Sequence, residues 1–183
     1  MLKFFCVLLV TTLFLSCKSD VLPKPSGQLR LDYPDAKYKP FDQKTPFDFD
    51  VNQQSELKSK GNNNYEVHYP KMKATMYLSY KPVFGNIDQL LRDAQKLTYE
   101  HVVKADDITE QPFINNSNKV YGMFYDVNGN AATNAQFYVT DSTKNFVNCS
   151  VYFYAKPNFD SILPAVDYLK KDMRRAMESF KWK

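Results

Sequence analysis

The sequence predicts an α+β domain, a mostly antiparallel β-sheet flanked by two main α-helices. Three observations carry this expectation. The chain holds 13 Tyr and 14 Phe against only 5 Gly, a composition that suits pleated, half-buried surfaces. Period-two alternation recurs in segments separated by turn signals. Two stretches with a 3.6-residue apolar period stand apart from the main strand run, one mid-chain and one at the end, which argues against alternating βαβ units.

The elements follow in order. Phe47, Phe49 and Val51 alternate with Asp48 and Asp50, a strand pattern, and the polar stretch from Gln53 to Asn64 reads as a loop ending Gly-Asn-Asn-Asn. Tyr65–Tyr69 and Met72–Tyr80 read as strands. The period then changes: Ile87, Leu90, Leu91, Ala94, Leu97, His101 and Val102 form a helical stripe, opened by Asn86 and Gln89 in capping-box spacing. Strands resume at Ile108–Ile114, Lys119–Val127, Gln136–Thr140 and Asn145–Ala155. Asn128-Gly129 gives a strong hairpin signal, and Asp141–Lys144 gives a turn. Asp160 caps a last helix over about Ser161–Phe180, with Pro164 in its first turn. This order resembles the Mog1/PsbP-like α/β/α sandwich.

The N-terminus sets the organisation. Lys3 precedes the apolar run Phe4–Val10, followed by Leu13-Phe14-Leu15-Ser16-Cys17, the parts of a secretory signal peptide. The apolar stretch is shorter than the about 20 residues of a membrane span. A Cys directly after Leu-Ser resembles a bacterial lipobox, in which diacylglycerol alkylates the thiol and the Cys becomes the mature N-terminus. Residues 1–16 are therefore expected to be a cleaved signal, residues 17–46 a lipidated, Pro-rich tether and lead-in, and residues 47–183 one globular domain. Pro23, Pro25, Pro34, Pro40 and Pro46 favour extended chain.

Charge and motifs exclude several functions. The formal charge is +4, and +3 once Lys3 leaves. Its signs are interspersed, unlike the clustered basic patch of a nucleic-acid binder. Cys6 leaves with the signal and Cys17 takes lipid, so Cys149 stands alone on an apolar strand face as an inert thiol. His68 and His101 are the only histidines, and both read as structural. No His or Cys spacing supports a metal site, no nucleophile elbow is present, and no cofactor loop can be built. The pairs Asp48/Asp50 and Asp106/Asp107 read as solvated, as does the basic stretch Lys170–Arg175. Tyr125, Tyr138, Tyr152 and Tyr154 face away from the core side, and most are expected under a helix. Asp141-Ser142-Thr143 and Asp160-Ser161-Ile162 resemble the O-glycosylation acceptor of Bacteroidetes exported proteins. They also read as a turn and a helix cap, so modification of Ser142 or Ser161 stays open.

Long stretches carry a further resemblance. They are Pro23–Pro34 (PKPSGQLRLDYP), Tyr69–Pro82 (YPKMKATMYLSYKP), Asp93–His101 (DAQKLTYEH), Gln136–Ser142 (QFYVTDS), Pro157–Ile162 (PNFDSI) and Phe180–Lys183 (FKWK). Together they resemble the gliding-motility lipoprotein GldD family of Bacteroidetes. The resemblance implies a role in surface gliding and the linked type IX secretion pathway, with other envelope components of that machinery as partners. It carries over no catalytic residue and one functional position, Cys17 as lipid acceptor. Lys18-Ser19-Asp20 lacks the dense acidic run associated with surface export in this phylum, which predicts a periplasm-facing protein, the outer membrane favoured over the inner.

Two functional readings result. The first is a non-enzymatic, lipid-anchored interaction component. The second is a periplasmic ligand-binding module with an aromatic pocket. A hollow of about 300 Å³ or more lined by the tyrosines and phenylalanines would mark the second, and a flat aromatic patch a protein partner. No enzyme activity, cofactor, metal or nucleic acid is expected, and a small-molecule ligand is disfavoured.

Overall fold

The structure, a computed structural model, describes residues 33–100, 104–154 and 159–183. Cys17 and His101 lie outside the described residues. The chain runs β1 (Tyr38–Pro40), β2 (Phe47–Asp48), β3 (Asp50–Asn52), β4 (Glu56–Gly61), β5 (Asn64–Tyr69), β6 (Ala74–Pro82), α1 (Ile87–Tyr99), β7 (Ala105–Asn115), β8 (Val120–Gly129), β9 (Thr133–Thr140), β10 (Asn145–Phe153), α2 (Phe159–Glu178) and β11 (Lys181–Trp182). Seven strands form one sheet in the order β4-β5-β6-β10-β9-β8-β7, and every neighbouring pair is antiparallel. The α+β architecture expected from the sequence is the one observed.

Alternation sorts each strand between two helices. On β9, Ala135, Phe137 and Val139 are buried in the main core with Leu169 and Met173 of α2. Gln136 points the other way and donates to the Ala94 carbonyl of α1 at 2.9 Å. Val147, Cys149 and Val151 of β10 join the α2 side, while Phe146 packs with Leu90 and Ala94 of α1. The sheet is therefore one layer between two helices.

The core has an aromatic end. Phe47 stacks on Phe180 at 5.4 Å, and Phe41 on Phe49 at 4.4 Å. Full burial of each such ring contributes about 1.5–3 kcal/mol. Two short ribbons hold this end, β1 against β3 and β11 against β2. Chain ahead of Phe47 thus already belongs to the body.

Several local expectations differ from the structure. Glu56–Gly61 is an edge strand rather than loop, paired with β5. Only Leu57 packs on the core, so the strand carries no apolar alternation. Its hairpin turns through Asn62 and Asn63, at φ 50° and 58°, the left-handed pair of a two-residue turn. Asn128-Gly129 stays within β8, and the chain reverses after it. Gly129, at φ 103°, passes so close to Asp106 that an added Cβ would lie 2.7 Å from its backbone nitrogen. Asn86 does not cap α1 with its side chain. Its Oδ1 turns back to accept the Phe84 N–H at 2.8 Å. The second helix begins two residues before Ser161, and Asn130 Oδ1 accepts the Phe159 N–H at 2.9 Å, which leaves Asp160 inside the first turn. The turn at Asp141 forms as expected.

Candidate functional site

Among the described residues, chemistry gathers in polar clusters on the two faces of the sheet and in surface hollows beside them. The first cluster crosses strands β5, β6 and β10 on the face opposite α2. Register places His68 beside Thr75, and Thr75 beside Tyr152. The His68 Nε2 lies 2.9 Å from Glu66 Oε2, and Nδ1 lies 2.9 Å from Thr75 Oγ1. Thr75 Oγ1 lies 2.6 Å from the Tyr154 hydroxyl, which lies 3.2 Å from that of Tyr77. The other Glu66 oxygen holds Lys60 at 2.9 Å. Lys60 and, less strongly, His68 hold the Glu66 carboxyl below its ordinary range. The bond to Tyr154 pushes the Tyr77 phenol up to about 12.

With neutral His68 protonated on Nε2, every donor in this chain points one way. Tyr77 donates to Tyr154, Tyr154 to Thr75, Thr75 to Nδ1, and Nε2–H to Glu66. Carboxylate, imidazole and hydroxyl thus stand in the order of a nucleophilic triad. Thr75, however, is 0% exposed, so its oxygen meets no substrate. The cluster orients Tyr154.

The second cluster surrounds Asp172 on α2, which is 2% exposed. Tyr38 of β1 donates to its Oδ1 at 2.7 Å, and Asn52 of β3 to its Oδ2 at 2.8 Å. Asn52 also donates to the Tyr168 hydroxyl at 2.9 Å. The Tyr69 hydroxyl lies beside the carboxylate without closing a bond of good geometry. Burial raises the Asp172 carboxyl above its usual range and outweighs these donors.

The basic stretch of α2 is less solvated than expected. Lys170 is buried and pairs with Asp126, and also donates to Asn128 Oδ1 at 3.0 Å. Arg174 lies 4.1 Å from the Phe124 ring centroid and donates to Gln111. Arg175 reaches Asp50 at 2.5 Å. Cationic side chains facing the sheet are drawn to the acids on β3 and β8, and Lys171 remains exposed.

The tyrosines divide. Tyr125 is buried, and Tyr138 stacks on Phe146 at 5.5 Å on the α1 side. Tyr152 is half-buried, and Tyr154 is 60% exposed. The Cys149 thiol is buried, and burial pushes it far above the usual thiol range. Ser142 is exposed at φ 66° in its turn, and Ser161 is exposed in the first turn of α2. Asp48 Oδ1 accepts the Phe49 N–H at 2.9 Å, and Asp107 accepts from Thr109 at 3.0 Å.

An open cleft of about 680 Å³ is bordered by Lys39, Phe41, Asp48, Val51 and Leu57. A hollow of about 210 Å³ lies between α1 and the sheet at Leu90, Asp93 and Phe146. Another, of about 270 Å³, has Tyr154 and His68 in its wall. The hollow with Tyr154 in its wall lies near the lower end of ligand-pocket sizes, and the larger cleft has Phe41 as its aromatic wall. Among the described residues, no three His, Cys, Asp or Glu stand together as a metal site. No described helix is long and apolar enough to cross a membrane.

These features define a small α+β domain, an antiparallel sheet between helices with surface hollows and internally tied polar clusters. The chain belongs to the gliding motility lipoprotein GldD family, whose family model matches residues 18–182. No curated protein and no solved structure matches it, so the likeness to the Mog1/PsbP layer order rests on element order alone. Membership makes it a gliding-motility lipoprotein, associated with the cell envelope through lipid.

Proposed function

We propose that the protein is a non-enzymatic interaction and assembly component of the gliding apparatus and its linked type IX secretion pathway. The observation that carries this reading is the family match, which begins at residue 18, directly after Cys17. Cys17 is the lipid acceptor, residues 1–16 are removed, and residues 17–46 lead from the bilayer into the domain. The body faces the periplasm, with the outer membrane favoured. Other envelope proteins of the machinery are its partners.

Affinity capture of the tagged, membrane-solubilised lipoprotein from its own cells tests this. Recovery of gliding or type IX secretion components supports the reading, and recovery of the protein alone counts against it. A Cys17→Ser variant tests the anchor. Processing to mature length with retention on membranes after a high-salt wash would remove Cys17 from that role.

A further inference from the structure

The helix α1 covers only part of its face of the sheet. It packs on β9 and β10 through Gln136, Tyr138 and Phe146. The adjoining half of that face, on β4, β5 and β6, carries Lys58, Glu66, His68 and Tyr77. At its corner the hollow of about 270 Å³ is bordered by Glu56, Lys58, His68, Pro70, Lys73 and Tyr154.

Tyr154 is built the wrong way round for a surface tyrosine. Exposed tyrosines ordinarily keep the ring on apolar surface and the hydroxyl in water. Here the hydroxyl is tied inward to Thr75 and Tyr77, while the residue stays 60% exposed. The ring is thus held in place on a largely exposed residue, so little rotamer entropy is lost when something covers it. The backbone of Lys73 is fixed as well. It is left-handed at φ 50°, its N–H bonds the Pro70 carbonyl at 3.2 Å, and its carbonyl accepts the Tyr154 N–H at 2.7 Å. Among the described residues, Lys58 and Lys73 have no carboxylate partner, and Glu56 is the one acid on the same rim.

We infer that this hollow binds an acidic saccharide, one sugar ring bearing a carboxylate. A pyranose presents a C–H face that packs on an aromatic ring and a rim of hydroxyls that need donors and acceptors. Tyr154 supplies the ring, Glu56 an acceptor, and Lys58 and Lys73 the charge that meets the carboxylate. The volume admits a single ring rather than an extended apolar ligand. The site goes beyond the assembly role and does not depend on the anchor.

The test is saturation-transfer NMR on the full-length lipoprotein in a sugar-free detergent. The probes are methyl β-glucuronide, methyl β-glucoside and acetate. Transfer to the glucuronide ring protons is expected, with affinity at least fivefold above that for the glucoside and none for acetate. Tyr154→Ala should lower glucuronide affinity at least tenfold. Lys73→Asn keeps a residue that tolerates the left-handed backbone and should bring the glucuronide down to the glucoside level. No transfer to either sugar, or transfer unchanged in a folded Tyr154→Ala protein, overturns the site. Equal binding of the two sugars, or acetate binding as tightly as glucuronide, overturns its acidic-saccharide assignment.

Discussion

Replacing Asp172 by Ala removes the carboxylate that joins α2 to β1 and β3. Two donors lose their acceptor, Tyr38 Oη and Asn52 Nδ2. A hydrogen bond to a charged group is worth about 1.5–3 kcal/mol. Two offsets apply. Tyr38 is only half-buried and regains water, and Asn52 keeps the Tyr168 hydroxyl. Removing a buried carboxylate also relieves its desolvation. The net cost is about 2–3 kcal/mol, or a fall in Tm of about 5–10 °C for a chain of this size. Thermal unfolding followed by circular dichroism measures it.

The pH dependence gives a sharper test of the same cluster. Burial raises the Asp172 carboxyl, so the folded state holds this proton more tightly than the unfolded one. Its contribution is full below the ordinary carboxylate range, near pH ~4, and is lost as pH rises through the raised value. The natural protein should therefore lose stability relative to Asp172→Asn on going from acid toward neutral pH. Opening should also be local. In hydrogen exchange of Asp172→Ala, the amides of Phe41 and Gln53, bonded to Phe49 and Lys37, should lose protection before those of β9. A natural protein that gains stability relative to Asp172→Asn as pH rises, or a Tm change in the Ala variant below about 2 °C, would refute this account of Asp172.

Three other outcomes are expected. Gly122→Ala places a Cβ 2.1 Å from the Tyr138 carbonyl oxygen, a backbone contact mid-sheet, and should cost about 2 kcal/mol or more by chemical denaturation. The Cys149 thiol, buried under α2, should label only at the rate of global unfolding, as read by peptide-resolved mass spectrometry. Asp141 accepts the N–H groups of Thr143, Lys144 and Asn145, and these bonds outweigh burial to hold its carboxyl below the usual range. Asp141→Ala should cost about 1 kcal/mol at neutral pH, and its melting curve should converge with that of the natural protein as pH falls through the lowered value.

Periodicity made β5, β6, β8, β9, β10 and both helices legible, because each has one face against a continuous apolar core. The alternation over Phe47, Phe49 and Val51 also marked β2 and β3, whereas β1, β11 and β4 were not legible. Backbone pairing at an edge leaves no alternation in a segment such as Glu56–Gly61. The polar clusters were half legible. Asp172 lies between Leu169 and Met173 on the buried stripe of α2, and an acid there signals an internal partner. Nothing local says that the partners come from Tyr38 and Asn52, more than a hundred residues away. His68 and Glu66 share a strand face by spacing, but Thr75 and Tyr154 join them only through β6 and β10.

The ribbon of β1 and β3 also sets a mechanical order. Tension entering from the N-terminal side reaches β1 before any strand of the main sheet. There it meets three residue pairings with β3 and the Tyr38–Asp172 bond, which hands the load directly to α2. That helix is pinned further along by Lys170 to Asp126 and Arg175 to Asp50. The sheet is thus shielded behind a small ribbon, and a pull on the chain ahead of β1 is felt by the C-terminal helix before the strands part.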